Sequence, residues 1–207
     1  MPDKFVLRDT SGRTRIELMA QGYAARPCLT LYDATGIYRA MLSVEADERV
    51  CLYLFDRKGK TPVFLVVHRS GRPHLYLYSK TGRSRIRLAV LSDNTHGLDL
   101  AGKDEKRRWG VTILPDGRRG VYLYGKRGNA RIAVEVAGDG SPRLELSDNL
   151  GIVRAALAVT SDDAPIMRLY SWTGLVHATL ALLSDDELTL DIPSPQQAFP
   201  INESPMA

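Results

Sequence analysis

The sequence has little cysteine, since Cys28 and Cys51 are its only two. Two cysteines cannot build the disulfide framework of a small secreted domain, and they fall short of the four ligands of a structural zinc site. No apolar run approaches the ~18 to 20 residues that cross a bilayer as a helix. Residues 1–5 contain no apolar signal-peptide segment. We therefore expect a protein without a membrane span in a reducing, cytoplasmic compartment.

Sequence signatures of catalysis are also missing. The chain contains no G-x-S-x-G, no H-E-x-x-H, no phosphate-binding glycine loop and no C-x-x-C. Three of the four histidines, His68, His74 and His96, fall in polar connecting segments, where solvated turn residues are commoner than metal ligands. These absences predict a non-enzymatic protein with no catalytic residues, no cofactor and no bound metal.

Charge is distributed unevenly along the 207 residues. Residues 1–48 hold 6 Lys/Arg and 7 Asp/Glu, residues 49–134 hold 19 and 6, and residues 135–207 hold 3 and 11. With 44% hydrophobic and 25% charged residues, the composition is that of an ordinary globular protein. The basic middle segment could attract an anionic partner, although charged turns also keep β-proteins soluble.

A repeat runs through almost the whole chain. Glycines recur at intervals of 23 or 24 residues, except where Glu105 stands in their place; they are Gly12, Gly36, Gly59, Gly82, Gly128, Gly151 and Gly174. The position five residues before each of these eight points is always leucine: Leu7, Leu31, Leu54, Leu77, Leu100, Leu123, Leu146 and Leu169. The positions seven before, and four, six and eight after, are apolar in every copy.

Apolar residues at intervals of two on both sides of a D-x-x-G turn predict a β-hairpin with one apolar face. A tyrosine four residues before the glycine appears only in alternate copies, at Tyr32, Tyr78, Tyr124 and Tyr170, so the full unit spans 46 residues. We predict an all-β fold of about sixteen antiparallel strands, made of eight 23-residue hairpins in four 46-residue units. All five apolar columns are expected to face one shared interior.

Two architectures would bury such a face. A flattened barrel or two-sheet spiral needs one apolar face, which the sequence supplies. A four-bladed β-propeller is the alternative, but its blades pack on both faces. Residues 1–192 are predicted to form a single domain, and residues 193–207 an extended, proline-rich tail.

The consensus L-x-L-x-D-x-x-G-x-x-R-x-x-L resembles that of uncharacterised bacterial tandem β-hairpin proteins across almost the whole chain. The stretch from Tyr32 and Asp33 to Gly36 is similar to the core of YD-type repeats, and the hairpin period is similar to that of MORN repeats. The resemblance implies a bacterial protein of repeated hairpins, and it implies no activity.

Most of the candidate residues for binding a protein partner lie on the face opposite the leucines. Three residues after the glycine stands an arginine in most copies, which by alternation should lie across the hairpin from the tyrosine column, as Arg39 from Tyr32. The third copy places Tyr53, Phe55 and Phe64 on this face, and such an apolar patch favours a subunit interface. The residues predicted to bind a protein partner are Tyr32, Arg39, Tyr53, Phe55, Phe64, Tyr78, Arg85, Tyr124, Arg131 and Phe199.

Basic residues gather at the predicted hairpin tips. If neighbouring hairpins lie side by side, these tips form a rim that an anionic polymer could follow. The residues predicted to bind it are Arg57, Lys58, Lys60, Lys80, Arg83, Lys106, Arg107, Lys126 and Arg127.

The sequence therefore favours a structural or accessory subunit, a rigid β-repeat scaffold that binds a protein partner or a second copy in a larger assembly. A binding module for nucleic acid or an acidic glycan is the alternative. Spaced apolar residues of the tail, such as Phe199, could anchor it on a neighbouring subunit.

Overall fold

The computed structural model describes residues 4–21, 26–182 and 187–193. These residues form β-strands and turns and no helix, which confirms the all-β fold class. Accordingly, the described part of the chain offers no apolar helix of membrane-crossing length. The chain divides into two compact units, Met1–Arg107 and Arg108–Ala207, which are described in turn.

The first unit contains nine strands among its described residues. They are β1 (Lys4–Arg8), β2 (Thr14–Met19), β3 (Cys28–Tyr32), β4 (Tyr38–Val44), β5 (Val50–Leu54), β6 (Val63–Val67), β7 (Pro73–Tyr78), β8 (Ser84–Val90) and β9 (His96–Ala101). Each strand pairs antiparallel with the next one in the sequence. Non-neighbouring strands of this unit make no pairing in the described residues, so the strands of the unit follow one another in sequence order.

The second unit repeats this arrangement. Its strands are β10, which begins at the unit boundary (Arg107–Ile113), β11 (Arg119–Tyr124), β12 (Ala130–Val136), β13 (Pro142–Ser147), β14 (Val153–Val159), β15 (Pro165–Tyr170), β16 (Val176–Leu182) and β17 (Leu188–Asp191). From β10 to β17 each strand again pairs antiparallel with its successor.

The pairing is continuous across the predicted borders of the 46-residue units. Strand β4 pairs with β5 from Ala40 opposite Leu54 to Val44 opposite Val50, and β12 pairs with β13 in the same way. Propeller blades are separate four-stranded sheets. The pairing therefore gives no support to the propeller alternative.

The turns have one geometry throughout the described chain. In the first, Asp9 N–H donates to the carbonyl oxygen of Arg13 and Gly12 N–H donates to that of Asp9, both over 2.9 Å. The same two bonds close thirteen further turns, at hairpin tips and connections alike. The fourth turn residue has a positive φ in each, a conformation that glycine adopts without strain and that ten of the fourteen turns fill with glycine.

Aspartate side chains stabilise several tips. The Asp33 carboxylate accepts hydrogen bonds from the hydroxyl of Thr35, at 2.6 Å, and from the backbone N–H groups of Thr35 and Ile37. These bonds, led by that of the hydroxyl, lower the pKa of Asp33 to about 2. Asp9, Asp56 and Asp148 accept equivalent backbone bonds. This confirms that the tip aspartates bind the backbone of their own turns.

The apolar columns share one face, as the alternation predicts, and we call it the leucine face. Cross-strand pairs such as Leu18 with Leu29, and Leu52 with Leu65, run through its register. The expectation of a shared interior is wrong, because many of these side chains are exposed. In the first unit, eleven large members are 37–58% exposed: Phe5, Leu7, Leu18, Leu31, Leu42, Val44, Val50, Leu54, Leu65, Val67 and Leu88.

The best-buried side chains lie on the opposite face, which we call the packed face. In the first unit they are Glu17, Cys28, Thr30, Ser43, Cys51, Val66 and Ala89, and in the second Ala133. Apart from Glu17, these residues are small or short, and their neighbours on the same face include tyrosine, phenylalanine and arginine. Long side chains can lie flat over short neighbours on a pleated surface, so this face covers itself without a second layer.

Four turns place a residue other than glycine at the positive φ. One is Glu105, with a φ of 63°. An L-residue pays roughly 1 to 2 kcal/mol in this conformation, whereas its ion pair with Arg83, at 3.6 Å and more than half exposed, contributes little. Glu105→Gly is therefore expected to raise the free energy of unfolding by about 1 kcal/mol, measured by urea denaturation.

The control is Glu145→Gly in the extended strand β13. There glycine adds backbone freedom and removes a partly exposed ion pair with Arg143 at 3.6 Å, of the same length as the pair that Glu105 loses. The free energy of unfolding should fall by about 1 kcal/mol. If both variants are destabilised alike, the turn geometry does not favour glycine at position 105.

Candidate protein-interaction surface

Six aromatic rings form a continuous row on the packed face of β4–β7 and the turn after β5, and we call it the aromatic ladder. Its members are Tyr38, Phe55, Tyr53, Phe64, Tyr76 and Tyr78. The register pairs Tyr53 with Phe64 and Phe64 with Tyr76, which places their ring centroids 4.8 and 6.1 Å apart. Offset stacking at these distances is favourable beyond the apolar area that it buries.

The row continues along the strands as well as across them. Tyr53 and Phe55 stack at 6.0 Å, as do Tyr76 and Tyr78, and Tyr38 meets Phe55 edge to face at 4.7 Å. In the neighbouring rows of the same face, Val66 is 1% exposed and Cys51 is fully buried. Each ring of the ladder is thus packed against at least one other ring and is only partly exposed to solvent.

The predicted apolar patch of the third copy is part of this ladder, but it is not wholly exposed to water. Tyr53, Phe55 and Phe64 are half-buried, and Val66 is completely covered. The rings shield one another and the small residues beside them. Tyr76 shares this face with Tyr78 by simple alternation, whereas Tyr38 was not predicted there and joins the row because a one-residue register shift places it opposite Tyr32.

A cleft of about 670 Å³ opens beside the ladder, between the tips of β5–β6 and β7–β8. Tyr53, Phe64 and Tyr78 line its aromatic side, and Pro62 adds an apolar wall. Lys60 and Lys80 lie at its rim, where the Lys60 ammonium donates a hydrogen bond of 2.8 Å to the carbonyl oxygen of Lys80. This bond ties the two tips together and sets the width of the cleft.

The electrostatics of the cleft are mixed. Burial raises the pKa of Tyr53 and of Tyr78, and the Tyr53 hydroxyl donates a hydrogen bond of 3.0 Å to Glu45. The Asp56 carboxylate accepts the backbone N–H of Lys60, which lowers its pKa and keeps it ionised. The cleft thus offers aromatic faces, the hydroxyl of Tyr78 and a rim with two cations and one anion.

The predicted pairing of tyrosines with arginines across the hairpin is wrong. The register shifts by one residue at each of these tips, so that Tyr38 rather than Arg39 lies opposite Tyr32. The same shift puts Ser84 opposite Tyr78 and Ala130 opposite Tyr124. Each arginine therefore occupies a β-bulge, which re-aims its side chain.

The bulge arginines point toward the next hairpin and bind its backbone. Nε of Arg39 donates to the carbonyl oxygen of Phe55 over 3.0 Å, and Nε of Arg131 donates to that of Ser147 over 2.6 Å. The remaining donors and acceptors are Arg15 with Tyr32, Arg85 with Gly102, Arg108 with Gly125 and Arg154 with Ser171. The arginine column is thus built into the sheet as a series of ties between hairpins.

Besides Tyr53, which donates to Glu45, two further tyrosines of the packed face bind carboxylates. The Tyr32 hydroxyl donates to Glu17 at 2.7 Å, and Lys4 forms an ion pair with the same carboxylate. Burial, followed by this hydrogen bond, raises the pKa of Tyr32 to about 12. In the second unit, Tyr122 donates to Glu135 at 2.6 Å, and burial likewise raises its pKa.

The basic residues lie where they were predicted, at the hairpin tips. In the first unit, neighbouring tips touch: Arg13 donates to the carbonyl oxygen of Ala34 and Arg83 to that of Lys103. Several exposed tip cations have no ion pair or hydrogen bond from their side chains in the described residues; they include Arg57, Lys58, Lys80, Lys103, Lys106, Lys126 and Arg127. Arg107 instead pairs with Asp99.

The histidines do not assemble a metal site in the described part of the chain. The rings of His68 and His74 meet edge to face at 4.6 Å, and His74 bonds the hydroxyl of Tyr76 at 2.9 Å. They extend the aromatic row toward the opposite edge of the first unit. Phe199 and the tail from residue 194 onward lie outside the described residues.

The ties between hairpins give a stability prediction. Arg131→Ala removes the bond to Ser147 and a second bond to the side-chain oxygen of Asn149 at 2.5 Å. The free energy of unfolding should fall by about 1 to 2 kcal/mol, the usual loss for bonds from a charged donor. Denaturation with urea measures this change.

The matched control is Arg127→Ala at the tip of the same hairpin, which should change the free energy of unfolding by less than about 0.5 kcal/mol. Equal effects of the two variants would contradict the role of the bulge arginine.

Comparisons with known proteins assign no family. No family model and no curated protein matches the chain. Among solved structures, a point mutant of the TCP10 domain of Danio rerio CPAP is similar over 92% of this chain and 99% of its own, with 13% identity and a TM-score of 0.41. The SAS-4 (dCPAP) TCP domain of Drosophila melanogaster, in complex with a proline-rich motif of Ana2, covers 93% and 92%, with 12% identity and a TM-score of 0.34. Likenesses of this strength identify neither a function nor a partner.

Proposed function

We propose that this chain is a non-enzymatic, cytoplasmic scaffold subunit of a bacterial assembly, and that it binds a protein partner through the aromatic ladder. The observation that carries the proposal is the open cleft of about 670 Å³ lined by Tyr53, Phe64 and Tyr78. The kinship with tandem-hairpin proteins belongs to the same proposal, which does not depend on it.

The shape of the cleft favours an extended segment of the partner. Its aromatic side lies in the sheet and its rim is formed by two neighbouring tips, so a ligand must lie along the surface instead of entering a deep pocket. Aromatic residues are favoured at the centre of protein interfaces, because they bury much area with little loss of side-chain freedom.

The rim selects the chemistry of that segment. Two lysines, Lys60 and Lys80, line the cleft, and Asp56 is the one acidic residue among its lining residues. An apolar side chain over the rings, flanked by a carboxylate directed at the lysines, would match both features. We therefore expect short, extended sequences that combine aromatic or aliphatic residues with Asp or Glu.

Selection from a random peptide library displayed on phage tests this proposal with the full chain as bait. Recovered peptides should share an acidic and apolar pattern, and Phe64→Ala should weaken their binding at least about 30-fold, a loss of about 2 kcal/mol typical of a central aromatic residue. Fluorescence anisotropy with one recovered peptide measures the affinity.

Tyr122→Ala is the control, since Tyr122 lies on the packed face of the second unit and is not among the residues that line the cleft. It should leave peptide affinity unchanged. Peptides that bind Phe64→Ala as well as the unsubstituted chain, or a selection that recovers no specific peptide, would refute the ladder as the binding surface.

A second candidate function is binding of an anionic polymer along the tips. It is favoured by the unpaired cations Arg57, Lys58 and Lys80 on two neighbouring tips of the first unit. A polyanion bound there releases condensed counterions, so its affinity must fall steeply with salt.

Titrations with heparin and with a mixed-sequence oligonucleotide at several salt concentrations test this. Replacing Arg57, Lys58 and Lys80 by glutamine should make the slope of log K against log salt shallower by up to about 2 to 3. Arg168→Gln, an exposed strand arginine, is the control. Absent or salt-insensitive binding would eliminate this function.

A further inference from the structure

The leucine face of the first unit is a second surface, separate from the aromatic ladder because alternate side chains of a strand point to opposite faces. Its paired positions run from Phe5 and Leu18 to Leu88 and Leu98, and no Lys, Arg, Asp or Glu occupies them. Unbroken apolar surface of this kind is rare on a monomer and marks an interface.

The exposed area is large enough for a stable complex. Eleven large side chains on this face are 37–58% exposed. If each leaves on the order of 80 Å² in water, together they offer on the order of 900 Å², about what one partner contributes to a standard interface.

Residues 194–207 are too few to cover this face. The fourteen residues from 194 to 207 would make at most one extended strip, about 5 Å wide if it paired as a strand. Its large apolar residues are only Phe199, Ile201 and Met206. A strip of that size leaves most of nine strands uncovered.

A second copy fits the face better. Two sheets pack face to face about 10 Å apart when both present apolar residues of similar size at regular spacing. The leucine face has this regularity through its own repeat, and since it carries no charge, two copies meet without like-charge repulsion. A different partner would need an equally wide, flat and uncharged surface.

We infer that the leucine face of the first unit is a homodimer interface, in which two copies of this chain pack sheet on sheet. The dimer goes beyond the proposed peptide-binding function, because it uses the other face of the same strands and leaves the cleft open on both outer sides.

Sedimentation equilibrium of the full chain over a wide range of concentration tests the interface. The unsubstituted protein should sediment as a dimer. In a Leu42→Lys, Leu88→Lys double variant, each lysine would be buried unpaired in the interface, and dimerisation should weaken by at least about 100-fold. Both positions are already exposed within the chain, at 45% and 50%, so its far-ultraviolet circular dichroism should not change.

A Val6→Lys, Thr189→Lys double variant is the control, because it adds the same two charges to the packed face. It should remain a dimer. A photo-crosslinking amino acid gives a second readout that needs no destabilising charge: at Leu65 it should join two chains, and at Tyr76 on the packed face it should not.

Three results would overturn the inference: a monomer at every concentration, a dimer that persists in the Leu42→Lys, Leu88→Lys variant, or crosslinks from Leu65 only within one chain, including to residues 194–207. Peptide binding at the ladder should be unchanged in that variant. Loss of the dimer and loss of the peptide site are therefore distinguishable.

Discussion

The antiparallel backbone ladder between neighbouring strands is the interaction on which everything else in this protein depends. In an ordinary domain, a sheet is held by burying its apolar face against another layer. Here the leucine face is largely open, and each strand of a unit is held by hydrogen bonds to the strands before and after it. A turn every 11 or 12 residues, always closed by the same two bonds, keeps that ladder in register.

The apolar groups of the two faces are removed from water in different ways. On the packed face, rings and arginines cover small neighbours, and polar groups find partners within the sheet, as Tyr32 does in Glu17. This face is nearly self-sufficient and offers a partner only the cleft between two tips. The leucine face has no such long, polar side chains, so its apolar surface can be removed from water only by a second layer.

The sequence predicts the strands well, because alternation and turn chemistry are local. The hairpins, the shared face of the leucines and the role of the tip aspartates follow from spacing alone. Burial does not: alternation places Leu42 inside and Val66 on the outer face, yet they are 45% and 1% exposed. Nor could spacing reveal the bulge at Arg39, which a one-residue register shift creates, or the ring of Tyr38, which that shift brings into the candidate site.

The hydrogen bonds of the bulge arginines to backbone carbonyl oxygens all run in one direction along the sequence. Each bulge guanidinium is satisfied by a carbonyl oxygen of the hairpin that follows it, as Arg131 is by Ser147, and never by the hairpin before it in the bonds described. Shortening a unit from its carboxy-terminal side removes the carbonyl acceptor of the last bulge arginine, which then keeps only partners within its own hairpin, as Arg154 keeps Asp148. Shortening it from the amino-terminal side removes the donor instead and leaves a carbonyl oxygen. The two ends of such a repeat array are therefore chemically different: one exposes guanidinium groups and the other exposes their acceptors.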